Sequence, residues 1–180
     1  MWEALYKQYG EPPDYKLLEE WENIYWAQVE VDMKLFPETE GVLEQLSSKY
    51  QLAVISNAPS LGSARKLYAG ELSKIERFFK NIFIAGQAGV PPKPAPEPFQ
   101  QCLTSLGLTP SEAVYVGDDW DMDICGARDA GIQPIWIKHR SVDRSWPPDE
   151  KTVPIITTLE PLLELETILS ASDIQLQNSG

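Results

Sequence analysis

Histidine and cysteine are nearly absent from this sequence, and their scarcity excludes several kinds of chemistry. The 180-residue chain has one histidine, His139, and two cysteines, Cys102 and Cys125. The cysteines lack the spacing of a metal-ligand pair or a redox motif, and nothing indicates a secreted disulfide framework. Zinc sites and Ser-His-Asp catalysis are therefore poorly supported.

Positive charge and long apolar runs are also scarce. With 15 Lys and Arg against 27 Asp and Glu, the net charge is −12, which argues against nucleic acid or an anionic membrane surface as a partner. No apolar run approaches the length of a membrane span, and the opening "MWEALYKQYG" lacks the layout of a signal peptide. We therefore expect a cytoplasmic protein without a membrane partner.

The first 36 residues have a helical pattern. The segment "DYKLLEEWENIYWAQVEVDMKLF" predicts an amphipathic helix with one apolar stripe, formed by Leu18, Trp21, Tyr25 and Val29. A shorter helix over 2–9 precedes it and ends at the breaker "GEPP". Aromatic residues on such a stripe are more often core than the lining of a pocket.

After residue 36, short apolar runs alternate with helical patterns. We predict strands at 52–56, 81–86, 113–118, 134–138 and 154–157, and helices around 60–78, 96–107 and 122–130. The capping box "TTLE" opens a last helix. Continuous apolar strands separated by helices predict an α/β fold in which helices cover both faces of a parallel sheet.

The stretch "VYVGDDWDMDICGARDAGI" (114–132) places four aspartates within six positions, directly after a predicted strand. Carboxylates this close repel one another unless they are solvated or neutralised by a cation. Asp118, Asp119 and Asp123 could converge on Mg²⁺, although one or two of them need be only helix caps. An EF-hand loop is excluded, because Ile124 stands where that loop needs glycine. Asp121 is assigned no role.

Two other strand ends carry polar residues. Ser56 and Asn57 follow the first predicted strand, where such residues are often only turn or cap residues but can also bind phosphate through a hydroxyl and backbone N–H groups. Lys93 follows the second, between Pro92 and Pro94, which restrict its backbone. Most lysines are solvated surface groups, but an ammonium held here could neutralise an anionic substrate and the aspartates.

The order and spacing of these residues resemble the haloacid dehalogenase-like (HAD) hydrolase superfamily, in its branch with a helical cap inserted early in the chain. "LFPETEGVLEQLSSKYQLAVISN" resembles the approach to that family's second motif, "KPAPEPF" its third, and "VYVGDDWDMDICGARDAGI" its fourth. "VPIITTLEPLLELETIL" resembles the usual closing strand and helix. The resemblance implies a Rossmann-like core at 37–171, preceded by part of the cap at 1–36 and followed by a tail at 172–180.

The resemblance also implies a mechanism. In this family an aspartate attacks phosphorus, and water then hydrolyses the aspartyl-phosphate. Carried over by motif, Ser56 and Asn57 would bind phosphate, and Lys93 would steady both nucleophile and phosphate. Asp118 and Asp119 would bind Mg²⁺, and Asp123 would hold Lys93 or a metal-bound water. The "GDD" form favours a Mg²⁺-dependent phosphatase of a small phosphorylated metabolite over a dehalogenase.

The sequence departs from the family at its first motif, an Asp-x-Asp pair that ends an N-terminal apolar strand. The only Asp-x-Asp pairs here lie within Asp119–Asp123, so we expect a truncated or alternatively started chain that begins inside the cap. Without the nucleophile and the usual general acid/base, we expect the chain to be inactive alone. The missing strand is central in family members, so its neighbours could pair directly, accept another segment or chain, or leave a distorted sheet.

Three functional hypotheses remain. The first is the inactive portion of a Mg²⁺-dependent phosphatase, and the second is a binding module that keeps the phosphate and metal pocket without chemistry. The third is a response-regulator receiver, which the order of residues opposes, because Ser56 and Lys93 precede the acidic cluster. A homodimer or strand exchange is a candidate for filling the gap.

Overall fold

The computed structural model describes residues 14–32, 34–57, 73–86, 89–143, 145–148 and 153–170. The predicted helix at 2–9, most of the helix predicted around 60–78, and the tail at 172–180 lie outside the described residues. No helix in the described part is both long enough and apolar enough to span a bilayer.

The N-terminal helix, α1 (Tyr15–Asp32), follows Asp14. The Asp14 carboxylate caps it by accepting the backbone N–H groups of Lys16 and Leu17 at 3.0 and 3.2 Å. The predicted apolar stripe is only partly buried. Leu18 is 7% exposed, whereas Trp21 and Tyr25 are 39% and 47% exposed. These two aromatic residues lie on the surface, although we expected them in the core.

The next elements form a parallel strand pair. Helix α2 (Thr39–Ser47) leads into β1 (Leu52–Asn57), and β2 (Phe79–Ala85) pairs with β1 in parallel, with Ile55 opposite Phe83. Both strands begin and end within two residues of the predicted ranges. Their β-branched and aromatic runs explain that agreement, because such side chains favour a pleated surface buried on both sides.

A three-stranded parallel sheet follows. Helix α3 (Glu97–Leu106) ends at Gly107, whose φ of 71° suits a residue without a side chain, and leads to β3 (Val114–Gly117). A π-helical segment, Trp120–Cys125, continues directly into α4 (Gly126–Asp129). Strands β4 (Gln133–Ile137) and β5 (Ile155–Ile156) complete the order β3-β4-β5.

The last described segment is helical. A 3₁₀ turn, Glu160–Glu164, leads into helical residues 165–170. The capping box in "TTLE" predicts this helix, and Pro161 lies in its first turn, where proline needs no N–H partner.

Helices cover both faces of the strands and connect the two sheets. Three core clusters form among the described residues. The first consists of Ile55, Phe99, Cys102, Leu103, Ala127 and Ile132, the second of Val42, Leu46, Ile135, Ile156 and Leu162, and the third of Ile124, Trp136 and Val153. Partly buried residues of β1 and β3 pack into the first two clusters. The α/β prediction is therefore confirmed. In the described part of the chain, however, β1 and β3 belong to separate sheets and do not pair.

A buried contact joins the start of α2 to the ends of β4 and β5. Glu38 Oε1 lies 2.9 Å from His139 Nε2 and accepts the Leu159 backbone N–H at 3.4 Å. His139 Nδ1 accepts the Ser141 N–H, so Nε2 carries the proton that is donated to Glu38. The ring of Phe36 stacks on the imidazole. The hydrogen bond from His139 is the main cause that lowers the pKa of Glu38 below its usual value of 4.5.

We expect Glu38→Ala to reduce the free energy of unfolding at pH 7 by about 1–3 kcal/mol, because it leaves buried donors without an acceptor. A carboxyl group whose pKa is lowered by folding stabilises the protein above its unfolded pKa of 4.5 and loses that effect as pH falls further. The gap between wild type and variant should therefore shrink below pH 4.5, which urea unfolding at pH 7 and at about pH 3 measures.

Glu40→Ala is the matched control. Glu40 pairs with Arg77, but their side chains are 51% and 58% exposed, so its loss should cost less than about 1 kcal/mol. Equal losses for the two variants, or a gap that stays constant with pH, would contradict the structural role given to Glu38.

Candidate active site

Polar side chains from β1, β3 and the segment after β2 meet at the carboxyl ends of the parallel strands. Ser56 and Asn57 end β1, Lys93 lies in the turn that precedes α3, and Asp118 and Asp119 follow β3. In parallel sheets this edge is where ligand sites form, because the loops after successive strands meet there.

Lys93 is the buried cation of this site, at 8% exposure. Its ammonium donates to Asp123 Oδ1 at 2.6 Å, to the Tyr115 hydroxyl at 2.9 Å and to the Ile55 carbonyl at 2.9 Å. An ammonium has three N–H donors, and these three contacts use all of them. Lys93 thus joins β1 of one sheet to β3 and the acidic segment of the other.

Asp123 is the buried carboxylate that faces it. Its Oδ1 accepts from Lys93 and lies 3.1 Å from the Tyr115 hydroxyl, while Oδ2 accepts the backbone N–H groups of Asp118 and Asp119 at 3.2 and 3.1 Å. Both oxygens therefore have two polar neighbours each, which offsets the cost of burying the charge. The same contacts shape the turn that follows β3.

Gly117 makes the close approach of Asp123 to β3 feasible. A Cβ at position 117 would lie 2.3 Å from the Asp123 Cβ, a distance that nonbonded carbon atoms do not reach. The glycine before the aspartate pair is thus required by packing, since any side chain there would push Asp123 away from Lys93.

Asn57 fixes the backbone of Lys93 through two hydrogen bonds. Its Oδ1 accepts the Lys93 N–H at 2.8 Å, and its Nδ2 donates to the Lys93 carbonyl at 3.0 Å. The sequence suggested a phosphate contact through the Asn57 backbone, and it gave no sign of this side-chain bridge. Ser56, beside it, is half-buried at the end of β1.

The two aspartates after β3 differ in setting. Asp119 caps the following helical segment by accepting the Met122 N–H at 2.9 Å, so that helix begins two residues before the predicted start at 122. The side chain of Asp118 is exposed, and its carbonyl accepts a 3.2 Å hydrogen bond from the indole N–H of the buried Trp136. The Asp118 backbone is held while its carboxylate faces outward.

Oxygen atoms of this kind suit Mg²⁺, which prefers carboxylate and water ligands. Among the described residues, however, no three His, Cys, Asp or Glu side chains are grouped as a metal site. The Asp118 side chain is exposed, whereas Asp123 is buried and both of its carboxylate oxygens accept hydrogen bonds. The residues thus fit an ion bound through Asp118 and water better than one enclosed by three carboxylates.

The sequence did not identify two residues that contact the site, Tyr115 and Trp136. Tyr115 lies within a strand predicted only as apolar, yet its hydroxyl contacts Lys93 and Asp123, and burial raises its pKa well above the ordinary value for tyrosine. Trp136 sits in β4, remote in sequence from the Asp118 carbonyl that it binds. Neither has a sequence signal beyond an aromatic residue in a strand, because their partners are set by strand register.

We expect Lys93→Met to cost about 3–5 kcal/mol of unfolding free energy, because it leaves the Asp123 carboxylate buried without its cation. Adding Asp123→Asn should recover much of that loss, which denaturant unfolding measures. The exposed Lys80 on β2 gives the control, as Lys80→Met should change stability by less than about 0.5 kcal/mol. A double variant that is no more stable than Lys93→Met alone would show that the pair does not account for the cost.

The chain is similar to known proteins of one family. The family model described as "Haloacid dehalogenase-like hydrolase" matches residues 2–137. A phosphoserine phosphatase from Thermus thermophilus is 33% identical over 118 residues, which are 64% of this chain and 43% of the relative. A glyceraldehyde 3-phosphate phosphatase from Pyrococcus furiosus is 30% identical over 132 residues, covering 73% of this chain and 53% of the relative.

A solved structure is similar over a larger share of the chain. The HAD-hydrolase YfnB from Bacillus subtilis, in a form bound to magnesium, is 25% identical with a TM-score of 0.67, covering 91% of this chain and 68% of that one. The chain spans about half the length of the two curated relatives. With a family model matched over most of its residues, the chain belongs to the haloacid dehalogenase-like hydrolase family.

Proposed function

We propose that this fold serves Mg²⁺-dependent hydrolysis of small phosphorylated metabolites through an aspartyl-phosphate, and that the 180-residue chain alone does not catalyse it. The observation that carries the proposal is the buried Lys93–Asp123 pair at the carboxyl ends of β1 and β3. A fixed ammonium at this edge can stabilise the charge of a phosphoryl group, and a low-dielectric setting strengthens that effect.

Each site residue has a role in this proposal. Lys93 holds its charge beside the reacting phosphoryl group, with Asp123 and Tyr115 fixing the ammonium from one side and Asn57 fixing its backbone. Ser56 and the Asn57 backbone bind phosphate oxygens. Asp118 is a Mg²⁺ ligand, and Asp119 binds the ion directly or through water.

Mg²⁺, when bound, offsets negative charge between an attacking carboxylate and the phosphoryl group. The exposed Asp118 carboxylate, on a backbone held by Trp136, is the group best placed to bind it. Asp123 acts on the site through Lys93 and through the turn that carries Asp118 and Asp119, whose N–H groups it accepts.

We expect the chain alone to be inactive because of where its Asp-x-Asp pairs lie and which contacts their carboxylates make. The only Asp-x-Asp pairs lie within Asp119–Asp123, and in this segment Asp119 caps a helix and Asp123 is paired with Lys93. Neither carboxylate is free to attack phosphorus without breaking those contacts. The nucleophile of an active assembly therefore comes from a carboxylate other than these.

The relatives support the substrate class. The two curated relatives are named as phosphatases of phosphoserine and of glyceraldehyde 3-phosphate, and both names describe small phosphorylated metabolites. We assign that class to this fold and leave the particular metabolite open, because the two relatives differ in substrate.

A non-catalytic phosphate- and metal-binding module is the second candidate. The contacts of Asp119 and Asp123 favour this candidate. Asp119 caps a helix and Asp123 pairs with Lys93, so the site has cationic and acidic groups while neither of these two carboxylates is available as a nucleophile. Calorimetry that shows tight binding of a phosphate ester without its hydrolysis would distinguish such a module from the portion of an enzyme.

The purified chain should show no turnover of p-nitrophenyl phosphate in the presence of Mg²⁺, because Asp119 and Asp123, which bound its Asp-x-Asp pairs, are engaged in a helix cap and an ion pair. Release of p-nitrophenol at 405 nm is the measurement, with Asp118→Asn as the comparison variant. Mg²⁺-dependent turnover that Asp118→Asn abolishes would contradict the inactivity and would show that another carboxylate acts as nucleophile.

Mg²⁺ binding should depend on Asp118 and not on its neighbour Asp121. Both side chains are exposed and lie three positions apart, so Asp118→Asn and Asp121→Asn remove the same charge from nearly the same place. We expect the first to weaken Mg²⁺ binding about tenfold or more and the second to change it little. Isothermal titration with MgCl₂ measures this, and equal weakening by both variants would overturn the assignment of Asp118.

A further inference from the structure

Four residues form a closed ring of contacts at the candidate site. The side chain of Asn57 holds the backbone of Lys93 through hydrogen bonds of 2.8 and 3.0 Å, and the Lys93 ammonium pairs with Asp123 at 2.6 Å. The residue before Asp123 is Met122, whose sulfur accepts a 3.9 Å contact from Asn57 Nδ2. Met122 therefore connects the group that holds the Lys93 backbone to the group that holds its ammonium.

Met122 is the exposed member of this ring. Lys93 and Asp123 are buried and Asn57 is half-buried, whereas Met122 is 40% exposed. Its thioether sulfur is only a weak hydrogen-bond acceptor for the Asn57 amide. A reagent in solvent can thus reach the sulfur, while the two charged side chains of the ring are shielded from it.

The backbone at Met122 is fixed on both sides. The Met122 N–H donates to Asp119 Oδ1 at 2.9 Å. The next residue, Asp123, is held by its ion pair and by the two backbone N–H groups that its carboxylate accepts. A chemical change at the sulfur cannot be absorbed by moving this backbone without breaking those bonds, so we expect the change to act on Asn57.

The chemistry available to an exposed thioether is oxidation by a peroxide. The sulfur lone pair attacks one oxygen of hydrogen peroxide, an S–O bond forms and the O–O bond breaks. The proton on the transferred oxygen passes to the departing oxygen, which leaves as water. Sulfur loses two electrons and the peroxide gains them. The product is a polar sulfoxide, which methionine sulfoxide reductases convert back to the thioether.

We propose that Met122 is a reversible oxidation site that controls anion binding at Lys93, an inference that rests on the function proposed above. The sulfoxide oxygen accepts the Asn57 Nδ2 hydrogen that now faces the sulfur, and it places partial negative charge at the carboxyl end of β1. That charge repels a phosphate held by Lys93 and Ser56. Oxidation therefore weakens phosphate binding, and reduction restores it.

Cys125 is a second oxidisable group nearby, three positions further along the chain. Its sulfur accepts a 3.7 Å contact from the Arg128 guanidinium, so it lies outside the ring. The variant Met122→Leu separates the two possibilities. It keeps both cysteines and has nearly the same side-chain volume, but it cannot form a sulfoxide.

The experiment treats the full 180-residue chain with dilute hydrogen peroxide and locates the added oxygen by mass spectrometry of peptides. Inorganic phosphate is the probe, titrated by NMR before and after treatment. We expect a sulfoxide at Met122, a shift of the Asn57 side-chain amide resonances, and phosphate binding weakened about threefold or more. The side-chain amide of Asn81, which donates to Ser105, is the internal control and should not shift. Methionine sulfoxide reductases should restore both signals.

The variant Met122→Leu should bind phosphate equally well before and after peroxide. The same weakening in this variant would assign the effect to Cys125 or another group and would overturn the proposal. A sulfoxide at Met122 that leaves the Asn57 resonances or the phosphate affinity unchanged would refute the coupling. Absence of oxidation at Met122, under conditions that oxidise N-acetylmethionine amide, would refute the site.

Failure of the proposed function gives a different result. In that case the untreated chain does not bind phosphate, and control of anion binding is overturned with it. Phosphate binding that is intact in the untreated chain and insensitive to the Met122 sulfoxide would contradict this inference alone.

Discussion

The buried ion pair between Lys93 and Asp123 is the contact on which the rest of the site depends. It joins a residue of the segment that follows β2 to a residue of the segment that follows β3, across the gap between the two sheets. Burying an ion pair costs desolvation free energy, and removing one partner costs more because the other charge stays buried. Additional hydrogen bonds to the two charged groups are therefore needed to offset the desolvation. Here Tyr115, the Ile55 carbonyl and two backbone N–H groups do so.

The same pair explains why the acidic segment after β3 tolerates so many carboxylates. Asp123 is neutralised by Lys93, Asp119 is held by a helix N-terminus, and Asp118 faces outward. Each carboxylate therefore has a different environment, which separates their chemical roles. The proposal assigns the exposed Asp118 carboxylate to a cation and the fixed Lys93 ammonium to a phosphoryl group.

Sequence reasoning anticipated the α/β class and the approximate strand ranges, because those depend on local runs such as "LAVIS" and "PIWIK". It also anticipated the family, through the spacing of Ser56, Lys93 and the aspartates. It could not anticipate the Asn57 bridge, the Tyr115 hydroxyl or the Trp136 contact, since each joins residues from different elements. The exposure of Trp21 and Tyr25 was missed because an apolar stripe does not reveal which surface covers it.

The gap between β1 and β3 is bridged by side chains of the candidate site. Direct pairing of these strands, one of three outcomes considered from the sequence, is not found in the described residues. Side chains of Lys93 and Tyr115 instead satisfy the Ile55 carbonyl, so the groups proposed to bind phosphate also bridge the gap. An N–H group of Lys93 that donates to the Ile55 carbonyl cannot also donate to a phosphate oxygen. Stabilising the fold and binding phosphate therefore require the same ammonium.

The central claim is that Lys93 and Asp118 form one site for a phosphoryl group and a divalent cation. A crystal structure of the chain grown with Mn²⁺ and tungstate tests it most directly, since Mn²⁺ takes the same oxygen ligands as Mg²⁺ and both ions are located by anomalous scattering. The account predicts Mn²⁺ bound to the Asp118 carboxylate and tungstate between Lys93 and Ser56. Ions bound elsewhere, with this edge of the sheets empty, would contradict it.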